Sequence, residues 1–315
     1  MYLGIEIGGT KLQLGVGADT GALAGLWRGA VDATAGPEGI RRQITAAVPE
    51  LLARAGVERG RLRGAGIGFG GPVDDATQTV IKSHQIEGWD NFPLADWVGD
   101  VVGLPAVLGN DADVAGLAEA LHGAGKGLSP VFYITIGSGI GGGLVIDGEI
   151  YRGVGRGAAE IGHLLVIHEG RLVTLEQVAS GWGIAQHAEL LRSHGRAAIL
   201  REVAEGRPLS VPLIVEAAER GDPMAWSVLE EARQTLAEAV CHVIALLCPR
   251  RIVIGGGVSL MGEELLFAPL RRLVAERAFR PFAGLTDIVP AALGEEVVVH
   301  GAIALARKRL GGPRG

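Results

Sequence analysis

Residues 1–18 read MYLGIEIGGTKLQLGVGA, and residues 131–147 read VFYITIGSGIGGGLVID. Each stretch is a pair of apolar runs joined by a glycine-rich turn that carries a hydroxyl. The turn is Gly8-Gly9-Thr10-Lys11 in the first and Gly137-Ser138-Gly139-Ile140-Gly141 in the second. Short apolar runs bounded by turn residues predict strands, so each stretch predicts a β-hairpin. The same device occurs twice, and each copy is followed by helical spacing and a further apolar strand. That order predicts an α/β protein of two duplicated lobes with a ligand cleft between them.

Working outward from the first hairpin, residues 22–28 predict a third strand. Ile40, Ile44, Val48, Leu51 and Leu52 give residues 38–55 the spacing of a helix. A strand is expected at 64–69, a loop rich in Gly, Pro and Asp at 70–93, a strand at 105–109 and a helix at 112–123. Beyond the second hairpin, helices are expected at 181–194, 211–220 and 223–247, the last ending at Cys248-Pro249 because proline stops a helix. Strand 251–254 then runs into Gly255-Gly256-Gly257, and helices fit 262–277 and 295–310. The expected division is a small N-terminal lobe, 1–109, and a large lobe, 110–295, with helix 296–311 packing back on the first.

The 315 residues are 48% hydrophobic and 20% charged, as in ordinary globular proteins. Net charge is −6, and the arginine pairs 41–42, 250–251 and 271–272 are scattered, so no basic stripe marks a nucleic-acid partner. No apolar run is long enough to span a bilayer, and the N-terminus lacks a leader pattern, which predicts a cytoplasmic protein. Cys241 and Cys248 lie seven apart on a predicted helix. Their Cα atoms would be about 10 Å apart at the helical rise, too far for a disulfide.

The 51 glycines far exceed the usual share and gather at strand ends. A turn such as Gly8-Gly9-Thr10-Lys11 exposes backbone N–H groups with no Cβ in the way, forming a nest for an anion, to which Thr10 and Lys11 add a hydroxyl and a charge. Gly137-Ser138-Gly139 offers the same on the second half, and Gly255-Gly256-Gly257 is a third glycine turn. Together they suit a polyphosphate. Gly66-x-Gly68-x-x-Gly71 spells a dinucleotide fingerprint, but a loop follows it where a helix is required. Gly125-Lys126-Gly127 lacks the spelling of a P-loop.

Asn110-Asp111 sits where an apolar strand ends and a helix begins. An acidic or amide residue there is commonly a helix cap. Phosphoryl transfer asks for little else than positioning, neutralisation of charge and a base for the attacking hydroxyl. A carboxylate at a strand end between two phosphate nests fits that base, so Asp111 is the candidate catalytic residue.

The motifs in order resemble the ROK family of sugar kinases and related repressors, within the actin/hexokinase superfamily. They are Glu6-Ile7-Gly8-Gly9-Thr10-Lys11, Gly71-Pro72-Val73-Asp74, Gly109-Asn110-Asp111-Ala112, Gly137 to Gly143, Glu160-Ile161-Gly162-His163, Glu176-x-x-x-Ser180-Gly181 and Val253 to Val258. The resemblance implies actin-like, ribonuclease H-like lobes and an ATP-dependent hexose kinase, glucose being the first expected acceptor. Fructose, mannose or an N-acetylhexosamine are the other acceptors it leaves open, and a catalytically impaired sugar-binding regulator is the alternative. It implies that Asp111 is the general base. It places Gly71, Asn110, Glu160, His163 and Glu176 at the sugar. It places Gly8, Gly9, Thr10, Lys11, Gly137, Ser138 and Gly139 at the phosphates, and Gly255, Gly256 and Gly257 over the adenosine. ATP and Mg²⁺ are the implied cofactors, and a homodimer is the expected assembly. A repressor would need an added DNA-binding module before the first strand, which here begins at Tyr2.

Three departures from the family pattern matter. Glu6 stands where the motif usually has Asp, a residue implied to help hold Mg²⁺; a glutamate still offers hard oxygen but reaches one methylene farther. Between His163 and Glu176, where most relatives carry a cysteine-rich zinc motif, this chain has no cysteine. His163, His168 and Glu169 lack the thiolates of a closed zinc site, so no structural zinc is predicted. Leu165, Ile167, Leu172 and Val173 suggest a small hairpin there instead. Gln85 stands where relatives often carry a sugar-contacting Asn.

Overall fold

The computed structural model describes residues 1–18, 20–83, 86–193 and 198–312. The chain opens with β1 (Tyr2–Ile7), β2 (Lys11–Ala18), β3 (Ala22–Ala30), α1 (Gly36–Arg54) and β4 (Ala65–Phe69). A two-stranded ribbon, β5 (Val73–Asp74) and β6 (Thr79–Val80), precedes α2 (Leu94–Val102), β7 (Ala106–Asn110) and α3 (Asp111–His122). The second hairpin is β8 (Val131–Ile136) and β9 (Ile140–Ile146), followed by β10 (Glu149–Ile150) and the ribbon β11 (Leu165–His168) and β12 (Arg171–Thr174). Helices α4 (Leu175–Ala179), α5 (Gly181–Ser193), α6 (Ala198–Ala204), α7 (Val211–Glu219) and α8 (Pro223–Leu247) lead to β13 (Arg251–Gly255), α9 (Ala268–Arg277), β14 (Asp287–Pro290) and α10 (Val297–Leu310). Among the described residues no helix is long and apolar enough to cross a membrane.

Two five-stranded sheets carry the duplication. Their orders are β3-β2-β1-β4-β7 and β10-β9-β8-β13-β14. In the first, β1 is antiparallel to β2 and parallel to β4, and β4 is parallel to β7. In the second, β13 is parallel to β14. By contacts the chain separates into two units. One comprises Met1–Tyr133, Gly143–Ala158 and Ala292–Gly315; the other comprises Ile134–Gly142 and Ala159–Ala291. The contacts therefore do not separate at the expected boundary of 109/110, because α3 packs on α10 and stays with the first sheet.

The two faces of the first sheet are covered by different means. Leu3, Ile5 and Ile7 of β1 point one way and join Leu12, Leu14, Ile67, Phe69 and the apolar stripe of α1 in a single core. The alternate positions are Tyr2, which packs on α10, Gly4 and Glu6, and the β4 partners of the last two are Gly66 and Gly68. With so little side chain on this face, α10 lies against the backbone itself. A Cβ on Gly66 would come within 1.8 Å of the Ala302 carbonyl oxygen, and one on Gly4 within 2.5 Å of that of Val299. Gly301 does the same for α3, where a Cβ would lie 1.8 Å from the Val114 oxygen. Gly66 and Gly68, two of the three glycines that spell a dinucleotide fingerprint, thus serve helix docking. Glu119, fully buried on α3, ties the segment entering α10 to this layer: its Oε1 accepts the Ala292 and Leu293 N–H groups, each at 2.9 Å.

Candidate active site

In the first unit, β1 and β2 meet in a tight turn closed by the Gly8 N–H donating to the Lys11 carbonyl at 2.9 Å. Helix α3 starts directly at the end of β7, and its cap is Asn110. The Asn110 Oδ1 accepts the N–H groups of Ala112 (2.9 Å) and Asp113 (3.2 Å), and its Nδ2 donates to the Gly71 carbonyl at 3.1 Å. Asp111 is therefore not the cap. Its Oδ1 accepts the Ala112 N–H at 2.8 Å. Its Oδ2 faces the β1–β2 turn: a Cβ built on Gly70 would lie 3.4 Å from that oxygen and 3.6 Å from the Gly8 Cα. Asp111, the first glycine turn, Gly71 and Asn110 are thus gathered at one end of the first sheet.

Glu6 lies on the glycine-lined face and is only 7% exposed. Its Oε1 is 3.0 Å from the Lys11 Nζ, which also donates to the Glu295 carbonyl at 3.2 Å. Its Oε2 is buried without a hydrogen-bond partner. Directly across the ladder stands Gln13, fully buried, whose amide oxygen and nitrogen also lack partners. Burial pushes the Glu6 carboxyl up to about 7, against the downward pull of Lys11; the nearby Asp111 and Glu295 charges add to the rise. Since its ordinary value is 4.5, the folded protein holds this proton more tightly than the unfolded chain does. The associated stability is full below about pH 4.5 and is lost as pH rises through 7. We expect Glu6→Gln to flatten that slope. Denaturant unfolding of the metal-free protein at a series of pH values should show wild type losing, relative to the variant, up to about 3 kcal/mol across this window. A constant difference would contradict the assignment.

A carboxylate with an orphaned oxygen, a buried amide and the neighbouring Asp111 form a set of hard oxygen donors that suits Mg²⁺. Gln13, and Glu295 as the partner of Lys11, are the residues here that sequence reasoning missed. The polar Gln13 inside the run LQLGV was the available signal; Glu295 contributes a carbonyl and gave none.

In the second unit, four segments meet at the Gly137–Gly139 turn. The Gly137 N–H donates to the Gly139 carbonyl at 2.9 Å, and the Gly181 N–H at the start of α5 donates to the Gly137 carbonyl at 2.8 Å. Gly256, with φ +85°, presses on the end of β8, where a Cβ would fall 2.6 Å from the Ile136 carbonyl. This places the Gly255–Gly257 turn beside the Gly137–Gly139 turn. The Glu160–His163 turn lies against the start of β9: a Cβ on Gly162 would be 2.1 Å from the Ile140 oxygen. Glu160 and His163 are exposed. Glu176, on α4, does something the sequence did not suggest. Its Oε2 accepts the Ile140 N–H at 2.8 Å and would lie 2.3 Å from a Cβ on Gly139. One of its oxygens therefore holds the glycine turn. Gln85 lies outside the described residues.

The fold, two α/β units each with a glycine-turned hairpin, is the actin/hexokinase-like fold of sugar kinases. The model of the ROK family matches residues 2–309, and the chain belongs to that family. A glucokinase from Halalkalibacterium halodurans is 32% identical over 95% of this chain and 93% of its own length. The N-acetylmannosamine kinase of Escherichia coli is 30% identical over 97% of this chain and 98% of its own. Among solved structures, the ROK glucokinase of Streptomyces griseus in complex with glucose and AMPPNP superposes with a TM-score of 0.83. It is 33% identical and covers 98% of this chain and 99% of that one.

Proposed function

We propose that this sugar kinase transfers the γ-phosphoryl group of ATP to the 6-hydroxyl of a hexose, glucose foremost. The observation that carries the reading is the division of labour at the β7–α3 junction. Asn110 caps the helix, which leaves the Asp111 carboxylate beside the Gly8–Lys11 turn. Asp111 takes the proton of the attacking hydroxyl as its oxygen forms a bond to the γ-phosphorus and the bond to the ADP oxygen breaks. The backbone N–H groups of the Gly8–Lys11 and Gly137–Gly139 turns hold phosphate oxygens, and Gly255–Gly257 receives the adenosine. Lys11 shares its charge between Glu6 and phosphate. Mg²⁺, when bound, neutralises the charge that builds up on the transferred phosphoryl group; Glu6, Gln13 and Asp111 are the residues that would hold it. Asn110, Glu160 and His163 pair with the sugar hydroxyls, and Glu176 orders the turn while facing the same substrate. An analogue that lacks one of those hydroxyls forfeits that pairing and should bind less well.

The glucokinase relatives favour glucose, and the N-acetylmannosamine kinase marks the second acceptor to try. ADP release measured over a panel of glucose, mannose, fructose, N-acetylglucosamine and N-acetylmannosamine tests the proposal. The expected result is the highest kcat/KM with glucose. Preference for an N-acetylated sugar would move the acceptor and keep the chemistry; sugar binding without any turnover would make the chain a sugar-responsive regulator.

A further inference from the structure

His168, at the end of β11, His187, on α5, and Glu231, on α8, converge within the second unit although the sequence separates them widely. Their ligand atoms all lie within 4.8 Å of one another. The Glu231 Oε2 stands 3.3 Å from the His187 Nδ1 and 3.8 Å from the His168 Nε2. The two rings meet edge to face with centroids 5.4 Å apart. Both imidazoles are within ion-pair distance of the Glu231 Oε2, yet that buried oxygen is in hydrogen-bond geometry with neither. The other carboxylate oxygen is oriented by the Ser227 hydroxyl, which donates to it at 3.3 Å. Three ligand atoms within 4.8 Å of one another, around a carboxylate oxygen that has no hydrogen bond, are spaced as ligands are around an ion.

We infer that His168, His187 and Glu231 form a binding site for a divalent transition metal of the Zn²⁺ class. Bonds of about 2.0–2.2 Å in tetrahedral geometry set ligand atoms roughly 3.3 Å apart, close to the two spacings observed. Two imidazoles and one carboxylate suit Zn²⁺, Fe²⁺ or Ni²⁺ and disfavour Mg²⁺ or Ca²⁺, which take all-oxygen sets. A cavity of about 370 Å³ opens on His168 and Glu231, with room for water at the remaining coordination positions. His163, the histidine of the family's thiolate zinc motif, is not among the three ligands. The site therefore revises the expectation of a zinc-free protein by a different route.

The ion has a structural task. The β11–β12 ribbon is only two strands wide, and such a ribbon is marginal by itself. Val166 is buried, but Leu165 is 58%, Ile167 75% and Leu172 65% exposed, so few apolar side chains hold it. A metal shared by β11, α5 and α8 fastens the ribbon to the two helices beneath it.

Full-length protein stripped with a chelator and titrated with Zn²⁺ against a competing dye tests the inference. Wild type should take up one Zn²⁺ per chain, and bound Co²⁺ should give the visible absorption of a low-coordinate nitrogen–oxygen site. Zn²⁺ should also slow proteolytic cleavage within residues 165–174. His187→Gln and Glu231→Gln keep side-chain volume. Both should stay folded by circular dichroism while weakening Zn²⁺ more than about 100-fold and abolishing the protection. No uptake by wild type, or unchanged affinity in both variants, would overturn the site; the first would leave a histidine–carboxylate cluster that binds only protons.

Discussion

Asp111→Ala should lower turnover of the preferred hexose by about 10²–10⁴-fold, the usual contribution of a positioned general base. The effect should fall chiefly on kcat. The geometry separates this outcome from a folding defect. Asn110 supplies the cap of α3, and the Asp111 Oδ1 accepts the adjoining Ala112 N–H. Asp111→Asn keeps an oxygen for that N–H but cannot accept a proton, so it should be nearly as inactive as the alanine variant at unchanged thermal stability. Asn110→Ala differs in also losing the cap, which costs about 1 kcal/mol of stability. An Asp111→Asn enzyme with near wild-type kcat would remove Asp111 from the chemistry and leave it a first-turn carboxylate that favours the helix dipole.

The second large effect is on folding. Gly301→Ala should destabilise the first unit by about 3 kcal/mol or more, the upper end of what overpacking costs, and should lower its unfolding midpoint by roughly 5–10 °C. The new Cβ would sit 1.8 Å from the Val114 carbonyl oxygen, a backbone atom of α3 that no rotamer change can move. Gly60→Ala is the control, since a Cβ there meets nothing within 4 Å; its midpoint should stay within a degree or so of wild type. Equal behaviour of the two variants in a thermal melt would mean that α10 stands farther from α3 than described.

Much of this was legible in order along the chain. Both hairpins, α1 and the end of α8 at Cys248 follow from local spacing and turn chemistry, which the sequence displays directly. Residues 94–102 received no element, although Leu94, Ala95, Val98 and Val102 bury one face of α2 and Gly103 closes it in the left-handed conformation; the preceding run of turn residues masked a short helix. At the candidate site, motif spacing identified residues but not their division of labour. That Asn110 caps while Asp111 does not, and that Glu176 braces a turn, depends on side-chain directions at element ends. Gln13 opposite Glu6 depends on register between strands. The meeting of His168, His187 and Glu231 depends on how a ribbon and two helices pack, and no local pattern encodes it.

The glycine-lined face has a consequence for the order in which the protein is made. Its cover, α10, comes from residues 297–310, whereas β1 emerges first. At about 5–20 residues per second, the first sheet waits on the order of tens of seconds for its last helix. The second unit lies wholly between residues 134 and 291, so β8 waits only about half as long for its last strand, β14. Vectorial synthesis therefore favours completion of the later-encoded unit first. The high contact order of the β1–α10 pairing makes closure of the first unit the slow, aggregation-exposed step, and the bare backbone of Gly4, Gly66 and Gly68 is the surface a chaperone would need to shield until then.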